Sequence, residues 1–137
     1  MYKRQIHIFV PLAPLYTFEH SRMVASVIAE ILFARHPKEV TLERAPARRP
    51  RNTVYIDTPQ NRTAATTASA YSVRATALGT WSAPLRWEEL ETDVDPSDFT
   101  IAQGLSRVAE VGDLWSLQPL EDHRLEEALP KLEQMLK

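Results

Sequence analysis

Hydrophobic and polar positions alternate near the start of the chain, where Ile6, Ile8 and Val10 are interleaved with His7 and Phe9 ahead of Pro11 and Pro14. A period of two ended by proline predicts a strand, with His7 on the face opposite the isoleucines. From Thr17 the period lengthens. Val24, Val27, Ile28 and Ile31 recur at helical spacing, Thr17 suits an N-cap, and Pro37 enforces a stop after His36; the helix predicted over 18–36 has about 18 residues. Val40–Leu42 predicts a short strand, and the Arg- and Pro-rich stretch Arg44–Asn52 an exposed connection. Thr53–Ile56, a β-branched and aromatic run, predicts a further strand that ends at Asp57. Thr66–Thr76 reads as a strand pairing with it. A loop holding Trp81, Pro84 and Trp87 follows, then a helical turn over Trp87–Leu90 and an acidic run over Glu88–Asp98. Ile101, Leu105, Val108 and Val111 predict one more helix, and Leu125, Leu129, Leu132 and Leu136 another, which Pro130 either kinks or starts.

Composition narrows the class. A chain of 137 residues with 44% apolar residues and a net charge of -2 fits one soluble globular domain and is too apolar for a disordered one. No apolar run approaches the roughly 20 residues of a membrane span. Cysteine is absent and no cationic-then-apolar leader precedes residue 20, so the expectation is a cytoplasmic protein. The only glycines, Gly79, Gly104 and Gly112, are isolated, which excludes glycine-rich phosphate loops. Charge is unevenly spread. Residues 1–76 hold 11 Lys and Arg against 5 Asp and Glu, and residues 77–137 hold 5 against 13, so a basic half (+6) precedes an acidic one (-8). Arg44, Arg48, Arg49 and Arg51, with Arg62 and Arg74, are either a phosphate-facing cluster or a solvated surface.

The remaining chemistry rests on carboxylates. Soft metal ligands are missing, the four histidines lack zinc spacing, and no serine sits in a glycine-flanked elbow. Asp57, a lone acid at the carboxyl end of an apolar strand, would suit a divalent ion beside phosphates, or would organise the turn into Thr58-Pro59. Gln60 and Asn61 are turn residues on spacing alone. Arg74 is a phosphate ligand or an ion-pair partner, and His7 a site residue or an ordinary hydrogen-bonded histidine.

Taken in order, Val54-Tyr55-Ile56-Asp57, Gln60-Asn61, Ala70-Tyr71-Ser72-Val73-Arg74, Pro84-Leu85-x-Trp87-Glu88-Glu89-Leu90 and Asp95-Pro96-x-Asp98-Phe99-Thr100-Ile101 resemble the second half of the polymerase domain of bacterial DNA ligase D. Upstream, Ile6-His7-Ile8-Phe9-Val10-Pro11-Leu12, Arg35-His36-Pro37 and Val40-Thr41-Leu42-Glu43 extend the likeness, which covers residues 6–137. That domain belongs to the archaeo-eukaryotic primase superfamily and serves non-homologous end joining. The resemblance implies an α+β fold, part of a primase-like mixed or antiparallel sheet flanked by helices. It implies a template-directed nucleotidyltransferase that uses Mg²⁺ or Mn²⁺ for phosphoryl transfer, with Asp57 and His7 as catalytic residues, Asp57 as one metal ligand, and His7, Gln60 and Arg74 at the nucleotide. Arg48, Arg49, Arg51 and Arg62 would face nucleic acid. The implied partners are DNA ends, nucleoside triphosphates, ligase and nuclease domains of a parent protein, and a DNA-end-binding protein.

The departures are equally specific. The family's Asp-x-Asp pair and Ser-Gly-x-x-Gly segment, expected before the histidine strand, are not found there, and Ala65 stands near a usually basic position. Residues 1–5, Met1-Tyr2-Lys3-Arg4-Gln5, resemble a translated sequencing adaptor and are expected to be foreign to the domain. A chain with one of three metal-binding acids is expected to be inactive by itself, and its unpaired Ile6–Val10 strand to be prone to aggregation. The alternatives are a non-catalytic DNA-binding module that uses the Arg44–Arg74 basic face, and a relative that keeps the fold without activity.

Overall fold

The computed structural model describes residues 5–92, 94–116 and 123–136. Residues 1–4 of the 1–5 segment and Asp93 of the acidic run therefore lie outside the described residues. The fold is α+β and divides into two compact units, one from residues 11–66 and 121–137 and the other from residues 1–10 and 67–120. Among the described residues no helix is long and apolar enough to cross a membrane.

The first unit is built on a pair of helices. Helix α1 (Phe18–Arg35) begins at Thr17, whose hydroxyl accepts from His20 N–H at 3.4 Å while Thr17 N–H donates to His20 Nδ1 at 3.2 Å. This is a reciprocal capping box with histidine in the usual Glu or Gln place. The helix ends at His36, because the residue before Pro37 is excluded from α geometry. It buries Val24, Ala29 and Ile31. Helix α3 (Leu125–Met135) carries Pro130 in its interior. The two helices are tied at both ends: Leu125 N–H donates to the Tyr16 hydroxyl at 2.9 Å, that hydroxyl donates to Glu126, and Arg35 reaches Met135 O at 3.5 Å. They therefore run in the same direction.

Strands β1 (Val40–Thr41) and β2 (Val54–Tyr55) pair in parallel, Val40 opposite Val54 and Thr41 opposite Tyr55. A parallel pair needs a crossover of about a dozen residues or more, and residues 42–53, with a 3-10 turn at Pro46–Arg48, supply it. Asn52 takes φ 60° at its end, a left-handed position that asparagine tolerates well.

The second unit is organised by a hairpin. Tyr71 N–H donates to Ser82 O, Ser82 N–H to Ser72 O and Arg74 N–H to Thr80 O, and the arms turn over Thr76–Gly79. Gly79 sits at φ 57°, where a side chain would be strained. Trp81 on the returning arm is buried at 9% exposure, stacked on Tyr71 at 5.7 Å and edge-on to Phe99 at 6.4 Å. Helix α2 (Ile101–Val111) passes over the indole at Gly104, where a Cβ would stand 3.3 Å from the ring. Arg107 of α2 meets Glu89 with both fork nitrogens, at 2.8 and 2.9 Å, donates to Pro84 O, and lies over Phe99.

Two expectations need correcting. Residues 6–10 join no strand and make no backbone hydrogen bond among the described residues, leaving Ile6, Ile8 and Val10 exposed. Alternation specifies which side chains share a face but does not provide a neighbouring strand. The 66–76 segment, expected to pair with β2, pairs instead with residues 80–82, because closing a short local turn costs less chain entropy than a distant pairing.

The Glu89 carboxyl is held below its ordinary value of 4.5, first by the hydrogen bonds from Arg107. A depressed carboxylate stabilises the fold above its unfolded value, and that contribution is lost as pH falls through the lowered one. Glu89→Gln should therefore destabilise the second unit by about 1–3 kcal/mol at pH 7. It should also flatten the loss of near-ultraviolet circular dichroism on acidification below pH 4.5, and an unchanged acid profile would refute this role.

Candidate functional site

Asp57 follows Ile56 directly at the carboxyl end of β2 and is exposed. The turn after it is closed by backbone, with Asn61 N–H donating to Thr58 O at 3.2 Å and Arg62 N–H to Gln60 O at 2.9 Å. The Asp57 carboxylate makes no hydrogen bond or ion pair among the described residues. It does not organise the turn, so one of its two sequence readings loses its geometric support. Gln60 and Arg62 lie on the same turn with exposed side chains that have no partner among the described residues.

The arginines of the crossover sort into two kinds. Arg49 donates from Nε to Glu43 O and from Nη2 to Arg44 O, both at 2.9 Å, and its guanidinium lies 3.9 Å over the Tyr55 ring. Arg48 pairs with Glu43 at 3.1 Å. The Glu43 carboxyl is lowered first by the Ala45 N–H that it accepts and then by Arg48. Arg51, by contrast, is exposed and unpartnered among the described residues. Arg49 is thus a brace between crossover and strand, and Arg51 and Arg62 are open to a ligand.

His7 and Arg74 belong to the other unit. The His7 ring meets Phe9 edge-on at 6.1 Å, and Phe9 packs on Trp115 at 4.9 Å. Arg74 sits on the outgoing hairpin arm, its N–H bonded to Thr80 O at 2.7 Å and its guanidinium exposed and unpartnered among the described residues. A cavity of about 370 Å³ in this unit is lined by Trp81, Asp98, Phe99, Gln103, Ser106, Arg107 and Glu110, and it includes none of Asp57, His7, Gln60, Arg62 or Arg74.

Among the described residues no three His, Cys, Asp or Glu side chains stand close enough to hold a metal ion. Among the described residues Asp57 is a lone carboxylate, and one carboxylate can supply only part of a two-metal centre. Tyr71, a member of the Ala70–Arg74 motif, makes a contact that its place in that motif does not announce. Its hydroxyl donates to Asp113, 42 positions away, and no local pattern signals such a contact.

The comparisons with known proteins agree on one family. The family model described as LigD, primase-polymerase domain, matches residues 3–115. The bifunctional non-homologous end joining protein LigD of Bacillus subtilis (strain 168) is 33% identical over 108 residues, covering 78% of this chain and 18% of the relative. The multifunctional non-homologous end joining protein LigD of Mycolicibacterium smegmatis is 33% identical over 116 residues, covering 85% of this chain and 15% of the relative. The polymerase domain of Mycobacterium tuberculosis ligase D, solved in complex with DNA, superposes with a TM-score of 0.63 at 30% identity, over 72% of this chain and 33% of that one. The chain thus spans less than a fifth of the length of these curated relatives.

The two kinds of arginine should separate in stability measurements. Arg49→Ala removes two hydrogen bonds and a ring contact and should cost about 1–2 kcal/mol in urea unfolding. Arg51→Ala should stay within about 0.5 kcal/mol of the parent. Equal effects would show that Arg49 is not a brace.

Proposed function

The chain belongs to the LigD primase-polymerase domain family, and on that premise we propose that it forms the nucleotide- and DNA-engaging part of a template-directed nucleotidyltransferase that acts on DNA ends in cytoplasmic non-homologous end joining. The observation that carries this reading is Asp57: a strand-end carboxylate, exposed and without an intramolecular partner among the described residues, beside a turn that presents Gln60 and Arg62. A structural aspartate would have turn amides to accept. Arg74 is the phosphate ligand in this reading, since a planar guanidinium can hold two phosphate oxygens at once. Gln60 and His7 contact the nucleotide, and Arg51 and Arg62 the nucleic-acid backbone. Mg²⁺ or Mn²⁺ is the cofactor of the completed domain, with Asp57 giving one ligand and further acids coming from outside these 137 residues. Ligase and nuclease domains and a DNA-end-binding protein are the expected company of such a domain.

Two measurements test the reading. The 137 residues alone, given Mn²⁺, a primed template and a nucleoside triphosphate, should show no extension above background, because one carboxylate does not assemble a two-metal site. Residues 6–137 joined to the N-terminal part of the B. subtilis relative's polymerase domain should extend the primer. Asp57→Ala in that hybrid should lower the rate by more than about 100-fold, beyond the 10–100-fold typical of outer-shell partners. Extension by the 137 residues alone, or an active Asp57→Ala hybrid, would sink the proposal.

The absence of a three-ligand cluster among the described residues favours one other reading, a non-catalytic DNA-binding module on the same arginines. Both readings predict salt-dependent binding to duplex DNA. Arg51→Ala and Arg62→Ala should each reduce the slope of log affinity against log salt by about 0.9, the loss of one phosphate contact. Unchanged slopes would remove these two residues from the interface. A hybrid that binds DNA but never extends a primer would decide for the module.

A further inference from the structure

Tyr71 holds a backbone conformation that its own sequence gives no reason to adopt. Its φ is 61°, in the left-handed region that bulky side chains rarely enter. Such a residue persists where its surroundings over-determine it, and the pattern clusters at functional sites. Three contacts hold Tyr71 in place. Its N–H donates to Ser82 O at 2.8 Å, its ring stacks on Trp81 with an interplanar angle of 19°, and its hydroxyl donates to Asp113 Oδ1 at 2.5 Å.

Asp113 is itself fixed. Helix α2 ends at Gly112, with φ 77°, and the Asp113 carboxylate then accepts Trp115 N–H at 3.1 Å and Ser116 N–H at 3.2 Å. The pair is electrostatically matched: Asp113 is held below the usual carboxylate range, first by the Tyr71 hydroxyl, and Tyr71 is pushed up by burial and then by Asp113. The carboxylate is the acceptor and the phenol keeps its proton.

Arg74 lies three residues further along the same arm. Between them the arm is fixed by Ser82 N–H to Ser72 O at 2.9 Å, by the antiparallel bridge of Val73 with Trp81, and by Arg74 N–H to Thr80 O. The backbone angle at Tyr71 therefore sets the direction in which the arm leaves, and with it where the Arg74 guanidinium is presented.

We propose that the Tyr71–Asp113 hydrogen bond is a positioning clasp that fixes the end of helix α2 to the hairpin and so orients Arg74 toward the phosphates of a nucleoside triphosphate. The proposal rests on the reading of Arg74 as a phosphate ligand given above. Tyr71 and Asp113 touch no ligand in it; they act through the hairpin.

The test is ATP binding to the 137-residue chain by calorimetry, together with amide hydrogen exchange at Arg74. Arg74→Ala should weaken ATP about tenfold, as for loss of a charge-assisted contact. Tyr71→Phe, which keeps the ring and loses only the hydroxyl, should weaken ATP about 3–10-fold and speed Arg74 amide exchange by a similar factor. Asp113→Ala should match it, and Asp113→Asn, which retains an acceptor oxygen, should recover most of both effects. In an Arg74→Ala background, Tyr71→Phe should cost nothing further in affinity.

The same loss in both backgrounds would mean general destabilisation and would overturn the clasp. So would weakened binding in Arg74→Ala with parental affinity in Tyr71→Phe. Unchanged affinity in Arg74→Ala would overturn the phosphate reading and the clasp together. Exchange at Arg74 that stays at the parental rate in Tyr71→Phe would overturn the clasp even without a binding measurement.

Discussion

In the hairpin-bearing unit one indole carries the packing. Trp81 is the only apolar side chain there that is buried among the described residues, and Tyr71, Phe99 and Gly104 of helix α2 all meet it. Burying a tryptophan removes roughly 150–250 Å² from water, worth about 4–6 kcal/mol. Its Nε1 has no hydrogen-bond partner among the described residues, a cost of about 1–3 kcal/mol. The apolar gain outweighs that cost, so the ring stays in. The ring's immediate neighbours are then placed by it: Gly104 lets the helix come close, and the returning arm lies where Trp81 can accept the stack of Tyr71.

Around so small a core, polar contacts set geometry that packing leaves undetermined. Arg107 and Glu89 fix the 3-10 turn at Trp87–Glu91 against helix α2, and Arg49 holds the crossover against Tyr55 of β2. The Tyr16 hydroxyl does comparable service at the start of helix α3, accepting one of the amides that a helix end leaves without an internal partner. The braces differ from surface ion pairs in being directed: a guanidinium fork or a hydroxyl accepts only a narrow range of approach, so each fixes an angle as well as a distance. That is the property a site needs when its ligands sit on short strands and turns.

How much of this was legible depended on how local its cause was. Helix α1 could be read to within a residue because Thr17 and Pro37 act on their immediate neighbours, and α2, α3, β1 and β2 were visible for the same reason. The 6–10 segment misleads because alternation says nothing about the partner a strand requires, and 66–76 because a hairpin to residues 80–82 competes with the β2 pairing on better entropic terms. Asp57 was found at the strand end where the pattern put it. The Tyr71–Asp113 contact was not visible at all, since it joins residues 42 positions apart whose types suggest nothing in isolation. The family itself was legible, through motifs whose order survives while individual positions drift.

The basic half of the chain shows why composition alone overstates an electrostatic surface. A net +6 over residues 1–76 suggests a broad phosphate-binding face. In the structure Arg49 faces the backbone carbonyls of Glu43 and Arg44 and Arg48 a carboxylate, and a guanidinium already holding two acceptors has little left to offer a phosphate without breaking the crossover. Arg51, Arg62 and Arg74 differ from them in having no internal acceptor among the described residues, and each stands on a connection or hairpin arm, where chain direction, and not helix or sheet periodicity, decides its aim. Specificity for a phosphate then depends less on how many arginines a segment holds than on how rigidly the few open ones are presented, which turns attention from the charges to the uncharged contacts that hold their backbones.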